Sequence, residues 1–202
     1  MDILLMNCDP QGFLKVLTPL LPKKPKYKGA KIYLYLLYST GLMEAGQYDE
    51  AKKVLDGFDK FPKNPTGSGY KFTYYNNRFR YYHHLKDWEE CSANLARMKE
   101  VLSKEQISRQ MYRVYDNIYD QKRALYKLET GDWSEAEEVY RRMLQNSRHQ
   151  IDQITARLVL GRVCQHDGRI DEAKEYFEYA IGHGGQTQEA LEAKALLEQI
   201  SN

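Results

Sequence analysis

Four short segments of this chain repeat one pattern: Gly46-Gln47-Tyr48-Asp49-Glu50-Ala51, Lys86-Asp87-Trp88-Glu89-Glu90-Cys91, Gly131-Asp132-Trp133-Ser134-Glu135-Ala136 and Gly168-Arg169-Ile170-Asp171-Glu172-Ala173. Each closes one apolar helical stretch and opens another, so the sequence reads as an array of helical hairpins. Their third positions lie 40, 45 and 37 residues apart, a period that belongs to helical repeats. Gly46, Gly131 and Gly168 suit the left-handed backbone that ends a helix. Lys86 replaces that glycine in the second copy, which predicts a strained or differently shaped turn. Asp49, Ser134 and Asp171 are expected to cap the following helices, with neighbouring glutamates favouring their positive ends. Tyr48, Trp88, Trp133 and Ile170 are expected to fill the corners.

Composition agrees with an all-α reading. All six prolines precede residue 66, so nothing breaks the helices of the last two-thirds of the chain. Charged residues at 29% and a mean hydropathy of −0.72 predict well-solvated outer faces. No stretch approaches the roughly 20 apolar residues that span a membrane, and Ile3–Met6 is too short for a signal-peptide core. An odd count of three cysteines argues against a disulfide framework and points to a reducing cytoplasm. Cys91 and Cys164 read as small core residues.

The periodicity predicts one domain over residues 1–202: an N-terminal half repeat over 9–21, hairpins over 32–61, 72–102, 104–145 and 151–183, and a capping helix over 187–200. Pro62 to Gly69 reads as the clearest loop. Ser103 with Gln106 reads as a capping box that opens a helix of about 26 residues ending at Glu129.

The fourth copy carries a family resemblance. Leu160-Gly161, Cys164, Gly168, Ile170, Ala173, Phe177 and Ala180 stand at the offsets of the tetratricopeptide repeat. The first copy is similar through Gly46, Tyr48, Ala51 and Leu55, and the third through Gly131, Trp133, Ala136, Tyr140 and Met143. The second is degenerate, with Phe79 where the family has a small residue and Cys91 in place of Ala. The period here exceeds the family's usual figure of about 34. The resemblance covers roughly residues 30 to 183. It implies a right-handed α-solenoid of antiparallel hairpins whose first helices line a concave groove for peptides or partner proteins.

Carried over by position, the groove would present Tyr33, Leu37 and Thr40 from the first hairpin and Thr73, Asn76, Asn77, Arg80, His83 and His84 from the second. Gln121, Lys122 and Leu125 would come from the third, and Val159, Arg162 and His166 from the fourth. Asn77 stands where some relatives hold a peptide backbone or terminal carboxylate, and Arg80, Lys122 or Arg162 would neutralise such a carboxylate. Asn76, Asn77, Arg80, His84, Tyr33, Leu37, Gln121, Lys122 and Arg162 are therefore the expected peptide-binding residues.

Tyr70 to His84 (YKFTYYNNRFRYYHH) interleaves aromatic and basic residues as single-strand nucleic-acid binders do. Tyr75, Phe79 and Tyr82 nevertheless share one helical stripe, which is a core pattern, and a chain of net +2 is weakly basic for a nucleic-acid module. Residues 1–100 carry 16 Lys/Arg against 11 Asp/Glu, and residues 101–202 carry 14 against 17. Lys23, Lys24, Lys26, Lys28 and Lys31 form the one basic run, read as a solvated loop, or as a segment facing an acidic lipid surface if an anchor precedes it.

Chemistry finds little support. His83 and His84 point about 100 degrees apart on a helix and have no metal-ligand partner at helical spacing. Gly67-Ser68-Gly69 and Gly184-Gly185 lack the Lys-Ser/Thr of a phosphate loop. The expectation is a non-catalytic protein or peptide scaffold without cofactor or metal. The alternatives are a peptide-sensing regulatory module and a structural self-association module.

Overall fold

Apolar residues recurring at three-to-four spacing form helices that bury those faces against one another, and the chain is all-helical among its described residues. A computed structural model describes residues 1–21, 30–58 and 60–201. The helices are α1 (Asp2–Leu5), α2 (Pro10–Leu17), α3 (Ala30–Glu44), α4 (Tyr48–Asp56), α5 (Pro65–His84), α6 (Trp88–Lys104), α7 (Arg109–Glu129), α8 (Ala136–Asn146), α9 (Gln150–His166), α10 (Ile170–His183) and α11 (Gln188–Ser201). A 3-10 turn, Thr18–Leu20, extends α2. Four of the five lysines of the basic run (Lys23, Lys24, Lys26 and Lys28) lie outside the described residues, and Lys31 is exposed.

The four repeated turns share one backbone solution. Gly46, Lys86, Gly131 and Gly168 have φ of 72°, 56°, 98° and 76°. The amides of Gln47, Asp87, Asp132 and Arg169 then reach back to the carbonyls of Leu42, Tyr82, Lys127 and Cys164 at 2.8–3.0 Å. The amides of Lys86, Gly131 and Gly168 bond the carbonyls of His83, Leu128 and Gln165, completing Schellman closures. The second turn therefore has the same shape as the others, with Lys86 held in a conformation that costs a side-chain-bearing residue roughly 1 kcal/mol or more.

The expected caps are placed differently. The N-caps of α4, α8 and α10 are Gln47, Glu135 and Arg169, none of which makes a side-chain cap bond. Asp49 and Asp171 lie inside the first turn, where their charge faces the helix's positive end. In the second copy Asp87 does cap, accepting from the Glu90 amide at 3.1 Å.

The chain divides into two compact units. Residues 14–43 and 47–126 form one. Its core gathers Phe72 and Phe79 of α5, Cys91, Leu95, Met98, Val101 and Leu102 of α6, and Tyr115 of α7, with Tyr75, Tyr82 and Trp88 packed at the edge. Residues 1–13, 44–46 and 127–202 form the other. There α9 packs on α8, α10, α11 and α1. Gly161 is required by that packing, because a Cβ on it would stand 2.5 Å from the ring of Phe177.

The units differ in charge far more than the two halves of the sequence do. The α3–α7 unit carries 21 Lys/Arg against 11 Asp/Glu, net +10, and the α8–α11 unit carries 9 against 17, net −8.

Candidate functional site

Asn77 is 1% exposed. Its amide nitrogen lies 3.2 Å from the Leu36 carbonyl, 2.9 Å from the Ser39 hydroxyl and 3.1 Å from the Thr40 hydroxyl, all on α3. The amide chemistry expected to grip a foreign backbone grips this chain's own, and Asn77 is corrected from a peptide contact to a tie between α5 and α3. The burial that decides this comes from packing across 41 residues of sequence and has no local signature.

The other expected residues are placed as follows. Asn76 is half-buried, and its Oδ1 is buried with no hydrogen-bond partner among the described residues. Arg80, Gln121 and Lys122 are half-buried and engaged within the chain. Leu37 is half-buried, whereas Tyr33 is 48% exposed. His84 is exposed at one edge but lies flat on Tyr48, ring centroids 3.6 Å apart and 7° from parallel.

Arg162 belongs to the α8–α11 unit, where its side chain is 18% exposed and bonds Glu129 at 2.7 Å, with Glu192 3.7 Å away. Burial works against its charge, and the Glu129 hydrogen bond and both carboxylates outweigh it, so the guanidinium is held even more firmly protonated than usual. It is an internal ion-pair residue.

A cavity of about 430 Å³ opens among α3, α5 and α7, lined by Tyr33, Pro65, Thr66, Gly69, Tyr70, Thr73, Ser108, Met111 and Tyr115. Local sequence builds it. Asn64 accepts the Gly67 amide at 2.8 Å and Pro65 occupies the first helical position, so α5 starts at Pro65 and the second half of the expected Pro62–Gly69 loop is helix. Gly69 leaves room for the Tyr115 phenol, whose oxygen would be 2.7 Å from a Cβ there.

On the facing side, α6 runs through Lys104 and the chain breaks before Arg109, in place of one helix opened by Ser103. Ser108 is the residue that caps, accepting the Met111 amide at 3.3 Å. Glu105, in the break, is tied to Lys71 of α5 at 2.6 Å. The break swings Met111 and Tyr115 onto the cavity.

Tyr115 stacks on Phe72 at 4.4 Å and is 9% exposed. Burial, with the Tyr70 and Tyr33 phenols nearby, pushes its pKa above the ordinary tyrosine range, and a hydrogen bond with Thr73 partly opposes this. Three phenols and the hydroxyls of Thr66, Thr73 and Ser108 thus line a neutral cavity. The first turns of α7 leave Met111, Tyr112 and Val114 exposed beside it. Sequence reading had placed Tyr33 and Thr73 on this face and missed Met111 and Tyr115, because their placement depends on the break between α6 and α7.

The remaining candidates for chemistry are engaged in structure. Cys8, Cys91 and Cys164 are free and buried. Burial pushes the Cys8 thiol up to about 11 and raises that of Cys164, the opposite of nucleophile activation. Among the described residues no group of three His, Cys, Asp or Glu is arranged to hold a metal, and no helix is long and apolar enough to cross a membrane. His83 meets Trp88 edge-on at 5.7 Å, and His166 stacks on Trp133 at 4.2 Å. What the cavity offers is concave apolar surface edged with hydroxyl groups, which suits binding. The chain matches no family model, no curated protein and no solved structure.

Proposed function

We propose that the chain is a non-catalytic binding scaffold, a right-handed solenoid of antiparallel hairpins similar to tetratricopeptide repeats, whose first-helix face receives a peptide or protein segment. The observation that carries the reading is the cavity among α3, α5 and α7, which in the repeat reading would be the first helices of three successive hairpins. The hairpin assignment is supported by the four equivalent turns and by two stacks at near-repeat separation, Tyr48 on His84 and Trp133 on His166. Three free buried cysteines favour a reducing compartment such as the cytoplasm.

Panning a random peptide display library on the full chain tests this. Enriched peptides should lose binding to Thr66→Trp, which plugs the cavity from an exposed position, and keep binding to Leu191→Ala, a control on the other unit. No enrichment, or peptides indifferent to the plug, would sink the reading. Self-association is a second reading, favoured by the opposite net charges of the two units.

A further inference from the structure

We propose that the cavity among α3, α5 and α7 takes an uncharged, proline-rich protein segment in the polyproline II conformation, its rings packed on the aromatic lining and its carbonyls bonded by hydroxyls of the wall. This rests on the binding reading above and names the chemistry of its partner. The lining contains no carboxylate and no cation, only phenols, hydroxyls, a proline, a glycine and a methionine. Tyr33 and Met111 are exposed although they line it, so apolar surface is open to an incoming group.

The hydroxyls of the lining fall into two sets. Tyr115 is tied to Thr73, which donates to the Gly69 carbonyl at 3.1 Å, so that pair is committed to the fold. Ser108 accepts the Met111 amide at 3.3 Å, but its own hydrogen, like those of Tyr33, Thr66 and Tyr70, is donated to no acceptor among the described residues. These O–H groups are available to the carbonyl oxygens of a partner.

Each mode of peptide recognition makes its own demand. Adding a strand needs a sheet edge, and the three elements here are helices. An amphipathic helix lays a row of anchors in a long groove and spends its carbonyls on its own amides. The cavity, at about 430 Å³, falls at the small end of the range for ligand pockets. An acidic motif or a terminal carboxylate needs cations, which the lining lacks. A polyproline II segment asks for what is present. Its backbone makes no internal hydrogen bonds, so its carbonyls are free to accept. Its prolines bring no N–H, so a wall without carboxylates or side-chain amides leaves no proline donor unpaired. Its rings suit an aromatic lining, and its conformation is set before binding. A nucleic acid would also find rings to stack on, but no cation of the lining would meet its phosphates.

The test uses the full chain and fluorescently labelled peptide pools of equal length with Ser/Gly flanks, one with a core of Pro-Leu-Pro repeats and one with every Pro replaced by Ala. Fluorescence anisotropy should show the proline pool binding about ten-fold or more tighter, with an affinity that salt leaves unchanged. Tyr33→Phe with Tyr70→Phe keeps the rings and removes two donors, and should weaken the proline pool about ten-fold at an unchanged unfolding midpoint. Where that midpoint shifts, Tyr33→Phe alone, at an exposed position, carries the same test with a smaller loss. Thr66→Trp should abolish binding of the proline pool.

Equal binding by the alanine pool, blocked by Thr66→Trp, overturns the proline preference and leaves the scaffold reading standing. So does failure of both pools when panning still enriches peptides that the plug blocks, whereas failure of panning as well overturns both. Proline-pool binding that ignores Thr66→Trp or the loss of the phenols, or that fades as salt rises, overturns the proposal. Displacement of the pool by a single-stranded oligonucleotide would assign the rings to base stacking and overturn it too.

Discussion

In the α8–α11 unit, a guanidinium joins α9 to the end of α7 through Glu129, with Glu192 of α11 close by. In the α3–α7 unit a neutral amide does the corresponding work, Asn77 joining α5 to three acceptors on α3. The two chemistries match their surroundings. At Arg162 the cation sits among carboxylates in a unit of net −8, whereas at Asn77 an uncharged amide avoids the cost of desolvating a charge. Ion pairing continues on the acidic unit, with Glu137 held by Arg141 at 2.6 Å and Arg169 at 3.1 Å. The basic unit also pairs ions, Lys71 with Glu105 at 2.6 Å, and adds rings, with Arg78 lying over Tyr74 and Tyr82 and Arg97 over Tyr75.

The sharpest way to break this contrast is Arg162→Ala. It removes the Arg162 partner from a Glu129 side chain only 17% exposed and is expected to cost about 2–4 kcal/mol, read from the urea midpoint of unfolding. Asn77→Ala is expected to cost less, about 1–3 kcal/mol. Leu36 keeps the Ser39 and Thr40 hydroxyls as donors at 2.9 and 3.0 Å, so no carbonyl is orphaned. If Asn77→Ala proved the more damaging, the amide and not the ion pair would be the stronger tie.

Acid sharpens the same contrast. Hydrogen bonds from Arg141 and Arg169 hold the Glu137 carboxyl below its usual range, Ser134 does so for Asp132, and His166 and Arg169 for Asp167. In the basic unit Glu105 is also lowered, since Lys71 and Ser68 outweigh its burial. Carboxyls depressed in the folded state stabilise it above their unfolded values, near pH 4, and that contribution is lost as pH falls through the folded values. Amide hydrogen exchange between pH 5 and 3 should therefore show protection falling first in residues 127–202. Simultaneous loss in both units would contradict the contrast.

The smallest effect is a gain. Lys86→Gly relieves a left-handed backbone without disturbing its hydrogen bonds and should raise stability by up to about 1 kcal/mol, visible as a higher melting temperature.

The repeated turns were legible in sequence because a Schellman closure depends on a few adjacent residues. It even held at Lys86, where no glycine marks it. Helix ends governed by competing local signals were less legible. Gly67, Ser68 and Gly69 read as loop although Asn64-Pro65 starts a helix, and Ser103 with Gln106 read as a start although Ser108 is the cap. Gly69 is in the helix for the space it leaves to Tyr115, a requirement set by a residue 46 positions away. The cavity follows from these two helix starts, so reading them as loop and continuous helix hid Pro65, Met111 and Tyr115 while leaving Tyr33 and Thr73 in view. Asn77 was singled out for the right chemistry, and only packing against α3 shows where that chemistry is spent.

The histidine contacts at the corners also give the molecule an optical readout. The chain has two tryptophans, one in each unit, and each ring touches an imidazole at the end of a helix: Trp88 with His83, Trp133 with His166. Separation of either pair changes the environment of one indole only. A Trp88→Phe variant therefore leaves an emission signal that follows the acidic unit alone, a Trp133→Phe variant one that follows the basic unit alone, and neither needs an attached dye.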